Sequence, residues 1–247
     1  MDRALYVAMT GATHLMRAQT ANSHNLANAS TIGFRAEMES ARSLPIEGAI
    51  HASRVNAVLE DRGWDPSQGH LQSTGRNLDV ALRGDGFMAV QAPDGTEGYT
   101  RNGSLRLTPE GLLTTASGQP LLGDNGPIAI PPAESLTIGD DGTISIVPAG
   151  QPANTLSVVG RIRVVDAQPG QLVRGGDGLM RAADGVELVD KAGPTLIPGT
   201  LESSNVNTAE AMVNMIELSR QFELQIKLIK AAEDNARQAS SLSRING

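Results

Sequence analysis

Cysteine is absent from the 247 residues, which excludes disulfides, thiol nucleophiles and cysteine-held metals and leaves the redox compartment open. Aromatic residues are scarce. Three Phe, two Tyr and one Trp leave few large anchors, so a core must rely on Val, Ile, Leu, Met and Ala and should be thin for this length. No apolar run approaches the ~20 residues of a membrane span, and the N-terminus lacks the unbroken apolar core of a secretory signal peptide. Neither membrane insertion nor a cleavable signal peptide is expected. Positive charge is in deficit as well: 20 Lys and Arg against 27 Asp and Glu give a net charge of −7, which disfavours nucleic acid as a partner. Catalytic signatures are also missing. There is no G-x-S-x-G elbow, no Walker loop and no dinucleotide fingerprint, and the Asp-Gly pairs fit turns rather than any calcium-loop spacing. His14, His24, His51 and His70 show no metal-ligand spacing. No catalytic residue, cofactor or metal is therefore predicted, and the chain reads as a non-enzyme.

The longest uninterrupted stretch, Asn207 to Arg244, holds neither glycine nor proline and is predicted to be one helix. Asn207 with Glu210 three residues later resembles a capping box, and Arg237 and Arg244 lie where positive charge suits the dipole. Such a helix would span roughly 55 Å, long for the inside of one compact domain. Steps of about 100° per residue group Met215, Leu218, Phe222, Ile226, Ile229 and Ala236 on one face. Val213, Leu224, Leu228, Ala231 and Leu242 fall roughly opposite. Two apolar stripes call for two partners, and the candidates are the other end of the chain and neighbours in an assembly.

Asp2 to about Ala27 is predicted to be a second helix, in which Leu5, Met9, Ala12 and Met16 form a short heptad-like seam. Arg17 is the only fully charged residue between Ala4 and Phe34, so most of this helix should be covered by protein. The stretch ANSHNLANASTIGFR, from Ala21 to Arg35, should end it, because Asn, Ser and Thr side chains compete for backbone hydrogen bonds and Gly33 permits a turn. Glu37 to Gly75 has weak periodicity and reads as an extended connector, with short strands around Ala57 to Leu59 and at Leu71. From Asn77 to about Gly199, short Val/Ile/Leu-rich runs alternate with turn pairs such as Asp94-Gly95, Asn102-Gly103, Asn125-Gly126 and Asp141-Gly142, the pattern of an antiparallel β domain.

Three stretches resemble the bacterial flagellar rod and hook proteins. The first is similar to the family's NNLAN motif with its following turn, Gly and aromatic, at Asn25, Leu26, Ala27, Asn28, Ser30, Thr31, Gly33 and Phe34. It departs at His24, where the family usually has Asn, and at Ile32, where Pro is common. The second, LDVALRGDGFMAVQAPDGTEGYTRNGSLRLTPEGLLTTASGQPLLG, resembles the β-domain signature, with Met88 in place of a Phe. The third, LESSNVNTAEAMVNMIELSRQFELQIKLIK, resembles the family's C-terminal pattern at Leu201, Glu202, Asn205, Val206, Asn207, Phe222 and Lys227 among others. The opening MDRALYVAMTGA and the length are similar to those of the family's proximal-rod subunits, while its hook protein is much longer.

The resemblance implies a structural subunit of the basal-body rod in the periplasm, exported by the flagellum's own type III apparatus. Its terminal helices would polymerise into a hollow, torque-transmitting shaft. The partners implied are other rod subunits, both proximal-rod neighbours and the distal-rod protein, in a helical hetero-oligomer. The fold class expected is α+β, with long N- and C-terminal helices in a coiled-coil-like packing domain, an inserted antiparallel β domain and an extended connector. Its divisions are an assembly helix at 1–30, a connector contacting neighbouring subunits at 31–76, a β domain at 77–200 and an assembly helix at 201–247. Subunit packing is assigned to Leu5, Met9, Ala12, Met16, Asn25, Leu26, Asn28, Gly33 and Phe34, and to Met215, Leu218, Phe222, Leu224, Ile226, Leu228 and Ile229. The competing readings are a distal-rod subunit of the same family and a secreted β-domain enzyme or binding module on a helical stalk. The latter would need a cleft of convergent ionisable groups.

Overall fold

The computed structural model describes residues 2–45, 55–152 and 154–245; for residues 2–8, 39–45, 55–62, 236 and 238–245 it describes the backbone alone. The chain opens with α1 (Asp2–Ala27), then β1 (Glu37–Pro45), β2 (Val55–Trp64), β3 (Leu71–Ser73), β4 (Val80–Leu82), β5 (Gly86–Gln91), β6 (Glu97–Thr100) and β7 (Leu105–Leu107). It continues with β8 (Leu113–Thr115), β9 (Leu122–Gly123), β10 (Gly126–Pro127), β11 (Ala133–Ile138), β12 (Thr143–Pro148) and β13 (Ser157–Arg161). The last elements are β14 (Val164–Asp166), β15 (Leu172–Arg174), β16 (Met180–Ala182), β17 (Val189–Asp190), β18 (Leu196–Pro198), β19 (Thr200–Glu202) and α2 (Thr208–Ile245).

Two compact units result. One comprises Met1–Ala27, Glu37–Arg62 and Asn207–Gly247; the other comprises Asn28–Ala36 and Gly63–Val206. In the first, α2 begins where the sequence places its cap: Asn207 Oδ1 accepts the N–H groups of Ala209 at 3.1 Å and Glu210 at 3.3 Å, satisfying two orphan donors of the first turn. The helices run antiparallel. Gln19 Nε2 donates to Ser219 Oγ at 3.4 Å and Asn22 Nδ2 to the Ala211 carbonyl at 2.7 Å, while Gly11, further back along α1, lies against Gln225, further along α2.

The expected coiled-coil-like packing domain of long terminal helices is not what the chain forms. It has one helix at each end of the sequence with a large antiparallel β domain between them. The seam does not close as knobs into holes: Ala12 is buried, but Met9 and Met16 are 53% and 58% exposed. In the extended connector, the short strands expected around Ala57 to Leu59 and at Leu71 fall inside β2 and β3. Within residues 31–76, β1 and β2 pair into a two-stranded sheet and β3 pairs with β19. β1, with the sequence EMESARSLP, carries no strict apolar/polar alternation from which a strand could be read.

In the second unit, β5 is central to a six-stranded sheet ordered β15-β16-β6-β5-β14-β17. Its side chains alternate between two cores. Met88 and Val90 join Val80, Leu82, Leu105, Leu113 and Ile144, while Phe87 and Ala89 join Trp64, Tyr99, Val165, Leu172 and Met180. The strand is therefore buried on both faces, which explains an apolar run where a one-sided sheet would alternate. Phe34, Trp64, Phe87 and Tyr99 place four of the six aromatics in this unit, with Trp64 edge-on to Phe87 at 5.1 Å.

Burial, with the hydrogen bond and negative charge of Glu97, pushes the Tyr99 phenol up to about 12. Between pH 10 and about 12 the folded phenol keeps its proton while the unfolded one loses it, so this group's contribution to stability falls as pH rises through that window. In a Tyr6→Phe variant, absorbance at 295 nm should report one phenol titrating near pH 12; a midpoint near 10 would contradict the buried setting.

Candidate assembly surface and its anchor

The residues assigned to packing divide into three groups. In α2, Met215, Leu218, Phe222, Ile226 and Ile229 are half-buried, whereas Leu224 and Leu228 are 52% and 61% exposed. Met212, Val213 and Ile216 add further exposed apolar surface. These side chains form a run of large apolar surface left in water along one helix. In α1, Ala12 is buried and Leu26 half-buried; the Leu5 side chain lies outside the description, as do those of Ala236 and Leu242.

Asn25 works inside the chain. Its Oδ1 accepts the Glu37 N–H at 2.8 Å and its Nδ2 donates to the Glu37 carbonyl at 3.0 Å, so the amide pairs with the start of β1 as a neighbouring strand would. His24 Nδ1 approaches the Glu37 carboxylate at 3.1 Å from the same helix end. This accounts for an amide at position 25, which ties the helix end to the returning chain.

Asn28, Gly33 and Phe34 belong to the second unit. Asn28 opens a turn by accepting the Thr31 N–H at 3.0 Å on its carbonyl and the Thr31 hydroxyl at 3.1 Å on its Oδ1. Gly33 takes φ +69°, so the turn forms without a proline at position 32. Phe34 is buried beneath the Arg174 guanidinium, 4.5 Å from its ring centroid, and Arg174 Nη2 donates to the Arg35 carbonyl at 2.8 Å.

These contacts lead to a cluster to which the sequence reading gave no role. Glu202, from the third motif, is buried between Arg101 of the second and Arg35 of the first. Its Oε2 accepts Arg101 Nη2 at 2.6 Å and Nε at 3.1 Å, and its Oε1 accepts the Gly69 N–H at 3.1 Å. Arg35 Nη2 stands 2.8 Å from Oε1 as an ion pair without hydrogen-bond alignment. Arg101 also donates to the Gly86 carbonyl and lies 5.5 Å from the Phe87 ring centroid. Two guanidinium groups share one carboxylate. Burial, and then the neighbouring Arg101 charge, push Arg35 down to about 10, leaving it charged at neutral pH. Beside the triad, the Asn205 side chain accepts the Ala36 N–H at 2.8 Å and donates to the Asp65 and Ser67 carbonyls at 3.3 and 3.0 Å. The three motifs thus meet in space. The available signal was a charged residue inside each motif: Arg35 after Phe34, Arg101 before Asn102-Gly103, and Glu202 before Ser203.

Among the described residues no group of three or more His, Cys, Asp or Glu could hold a metal, and no helix is long and apolar enough to cross a membrane. A buried ion triad in the β unit and a helix with an exposed apolar face fit the class of proteins that associate with other chains. Comparison with known proteins gives the class its name. Residues 81–146 match the family model described as flagellar hook protein FlgE/F/G D1 domain, and residues 197–242 match that described as flagellar basal body rod FlgEFG protein C-terminal. The flagellar basal-body rod protein FlgF of Escherichia coli strain K12 is 44% identical over 248 residues, covering 98% of each chain. The FlgF of Caulobacter vibrioides is 32% identical over 253 residues, covering 100% of each. The FlgG of Bacillus subtilis strain 168 is 29% identical over 267 residues, covering 99% of this chain and 100% of the relative. The chain belongs to the flagellar rod and hook protein family. Within it the chain is a structural rod subunit, more similar to the FlgF of Escherichia coli, at 44% identity, than to the FlgG of Bacillus subtilis, at 29%.

Proposed function

We propose that this subunit assembles into the basal-body rod through α1 and α2, with neighbouring proximal-rod subunits and the distal-rod protein as its partners. Residues 1–30 and 201–247 serve as the assembly segments, residues 31–76 contact neighbouring subunits, and the β domain of residues 77–200 faces outward from the shaft. The role is mechanical and non-catalytic, and the shaft lies in the periplasm. The supporting observation is the exposed face of α2, where Val213, Ile216, Leu224 and Leu228 are each more than half exposed on a helix of 38 residues. A helix of that length does not leave such residues in water without a partner to cover them.

Leu224→Gln with Leu228→Gln should reduce recovery of the chain in purified basal bodies, since each buried Leu lost removes roughly 2 kcal/mol per interface. The fold should be untouched, because both positions are exposed in the single chain. Immunoblots of basal bodies from a complemented deletion strain measure this. Basal bodies devoid of the wild-type chain would refute the assignment to the rod, and wild-type recovery of the double variant would refute the assignment of this face.

A further inference from the structure

The first unit holds a groove of about 430 Å³ between the two helices. Its floor is formed by the small residues Ala18 and Ala21 of α1, and its α2 wall carries Glu210, Asn214, Glu217 and Gln221, all exposed. The volume suits the side chains along one helical face rather than a whole helix. Glu210 and Glu217 are seven residues apart, which places them about 10.5 Å apart along the axis and within about 20° of one another around it. Among the described residues neither carboxylate has an ion-pair partner.

The same helix carries the complement. Arg220 and Lys227, also exposed and without an ion-pair partner among the described residues, repeat the seven-residue spacing, with the exposed Leu224 between them where Asn214 stands between the two glutamates. A shift of ten residues superposes one pair on the other. Ten residues turn the helix to about 80° short of three full turns, so the basic pair faces another direction; Arg220 stands three residues from Glu217, yet neither it nor Lys227 lines the groove of its own chain.

Resting on the rod assignment above, we infer that the occupant of this groove is a second copy of this chain, whose Arg220 and Lys227 meet Glu210 and Glu217 while Leu224 enters above the alanine floor. Because the two halves are different faces of one helix, the contact is heterologous: each copy offers a free half after using the other, and the contacts propagate in one direction. Charge pairing sets the axial register, and the apolar surface beside it supplies the burial.

The test is a charge exchange in the full-length chain, read as the amount recovered in purified basal bodies. Glu210→Lys with Glu217→Lys, and separately Arg220→Glu with Lys227→Glu, should each reduce recovery at least about tenfold, because like charges then face one another. The variant carrying all four changes should return to within about twofold of wild type. Because positions 217 and 220 are three residues apart on one helix, the fourfold variant also relieves like charges within each chain; co-expression of the two double variants, in which the groove of each meets the exchanged pair of the other, should restore recovery while leaving those charges in place. Normal recovery of either double variant, or failure of the fourfold variant or of the co-expressed pair, would overturn the pairing between copies. Absence of the wild-type chain from basal bodies would instead overturn the rod assignment, so the two failures are distinguishable.

Discussion

Glu202→Gln should lower the melting temperature of the β domain by roughly 6–20 °C. Breaking a buried ion pair costs about 3–5 kcal/mol, because the surviving charge is left without compensation, and about 2–4 °C per kcal/mol is lost in a chain of this size. Here two guanidinium groups are left, at positions 35 and 101, each buried. The Gly69 N–H keeps an acceptor in the glutamine oxygen, so the loss isolates the charge rather than the hydrogen bond. Trp64, the only tryptophan, packs in the neighbouring core against Phe87, which the Arg101 guanidinium approaches at 5.5 Å. Its fluorescence therefore reports this unit alone. Arg35→Met, Arg101→Met and Glu202→Leu together should be milder than Glu202→Gln, since an apolar replacement leaves no stranded charge. The recovery should be incomplete, because the Gly86 carbonyl loses the donor that Arg101 supplies. A shift of less than about 2 °C for Glu202→Gln would mean that water reaches the two arginines and the triad is not a closed cluster.

The helices and the β domain could be read from the sequence because each leaves a local signature. Asn207 with Glu210 marked the start of α2, and Asp94-Gly95 and Asp141-Gly142 are hairpin turns between the paired strands β5–β6 and β11–β12. The coiled-coil-like packing could not be read correctly from spacing alone. Periodicity shows which residues share a face but not whether a partner covers it, and Met9 and Met16 share Ala12's face without its burial. The connector was legible in part. The short strands read around Ala57 to Leu59 and at Leu71 fall inside β2 and β3, whereas β3 pairs with β19 from the far end of the chain, a pairing that no local pattern announces. The triad is the strongest case. Arg35, Arg101 and Glu202 are separated by 66 and 101 residues in sequence, counted as 101 − 35 and 202 − 101, so their neutralisation exists only in the fold. Asn102-Gly103 shows the opposite failing, a local pattern read for the wrong cause. It lies between β6 and β7, which do not pair, and Gly103 does not take a positive φ.

Gly103 is instead required by proximity, and Gly103→Ala should be among the most damaging single substitutions in the β domain. An added Cβ would stand 1.6 Å from the Val80 carbonyl oxygen and 2.7 Å from its carbon. Both are backbone atoms, and no rotamer change can move them aside. The segments are joined by hydrogen bonds from Val80 N–H to the Gly103 carbonyl at 2.9 Å and from Leu105 N–H to the Leu78 carbonyl at 3.0 Å, and Val80 and Leu105 both sit in the first core. Relief of the clash therefore separates paired backbone and disturbs packed side chains together, at a cost of about 3 kcal/mol or more. Gly33→Ala should be comparable, because its φ of +69° costs roughly 1–2 kcal/mol for an L side chain. Its Cβ would also stand 2.3 Å from the Arg101 carbonyl oxygen, beside the ion triad. Gly95→Ala separates the two causes. Its φ is +82° with no atom within 4 Å of the added Cβ, so it incurs the conformational cost alone. Thermal melts followed by Trp64 fluorescence should place Gly95→Ala a few degrees below wild type and Gly103→Ala roughly 6–12 °C or more below it. If Gly103→Ala melts no lower than Gly95→Ala, the 78–80 and 103–105 segments can part without loss, and the close approach is not what holds the fold there.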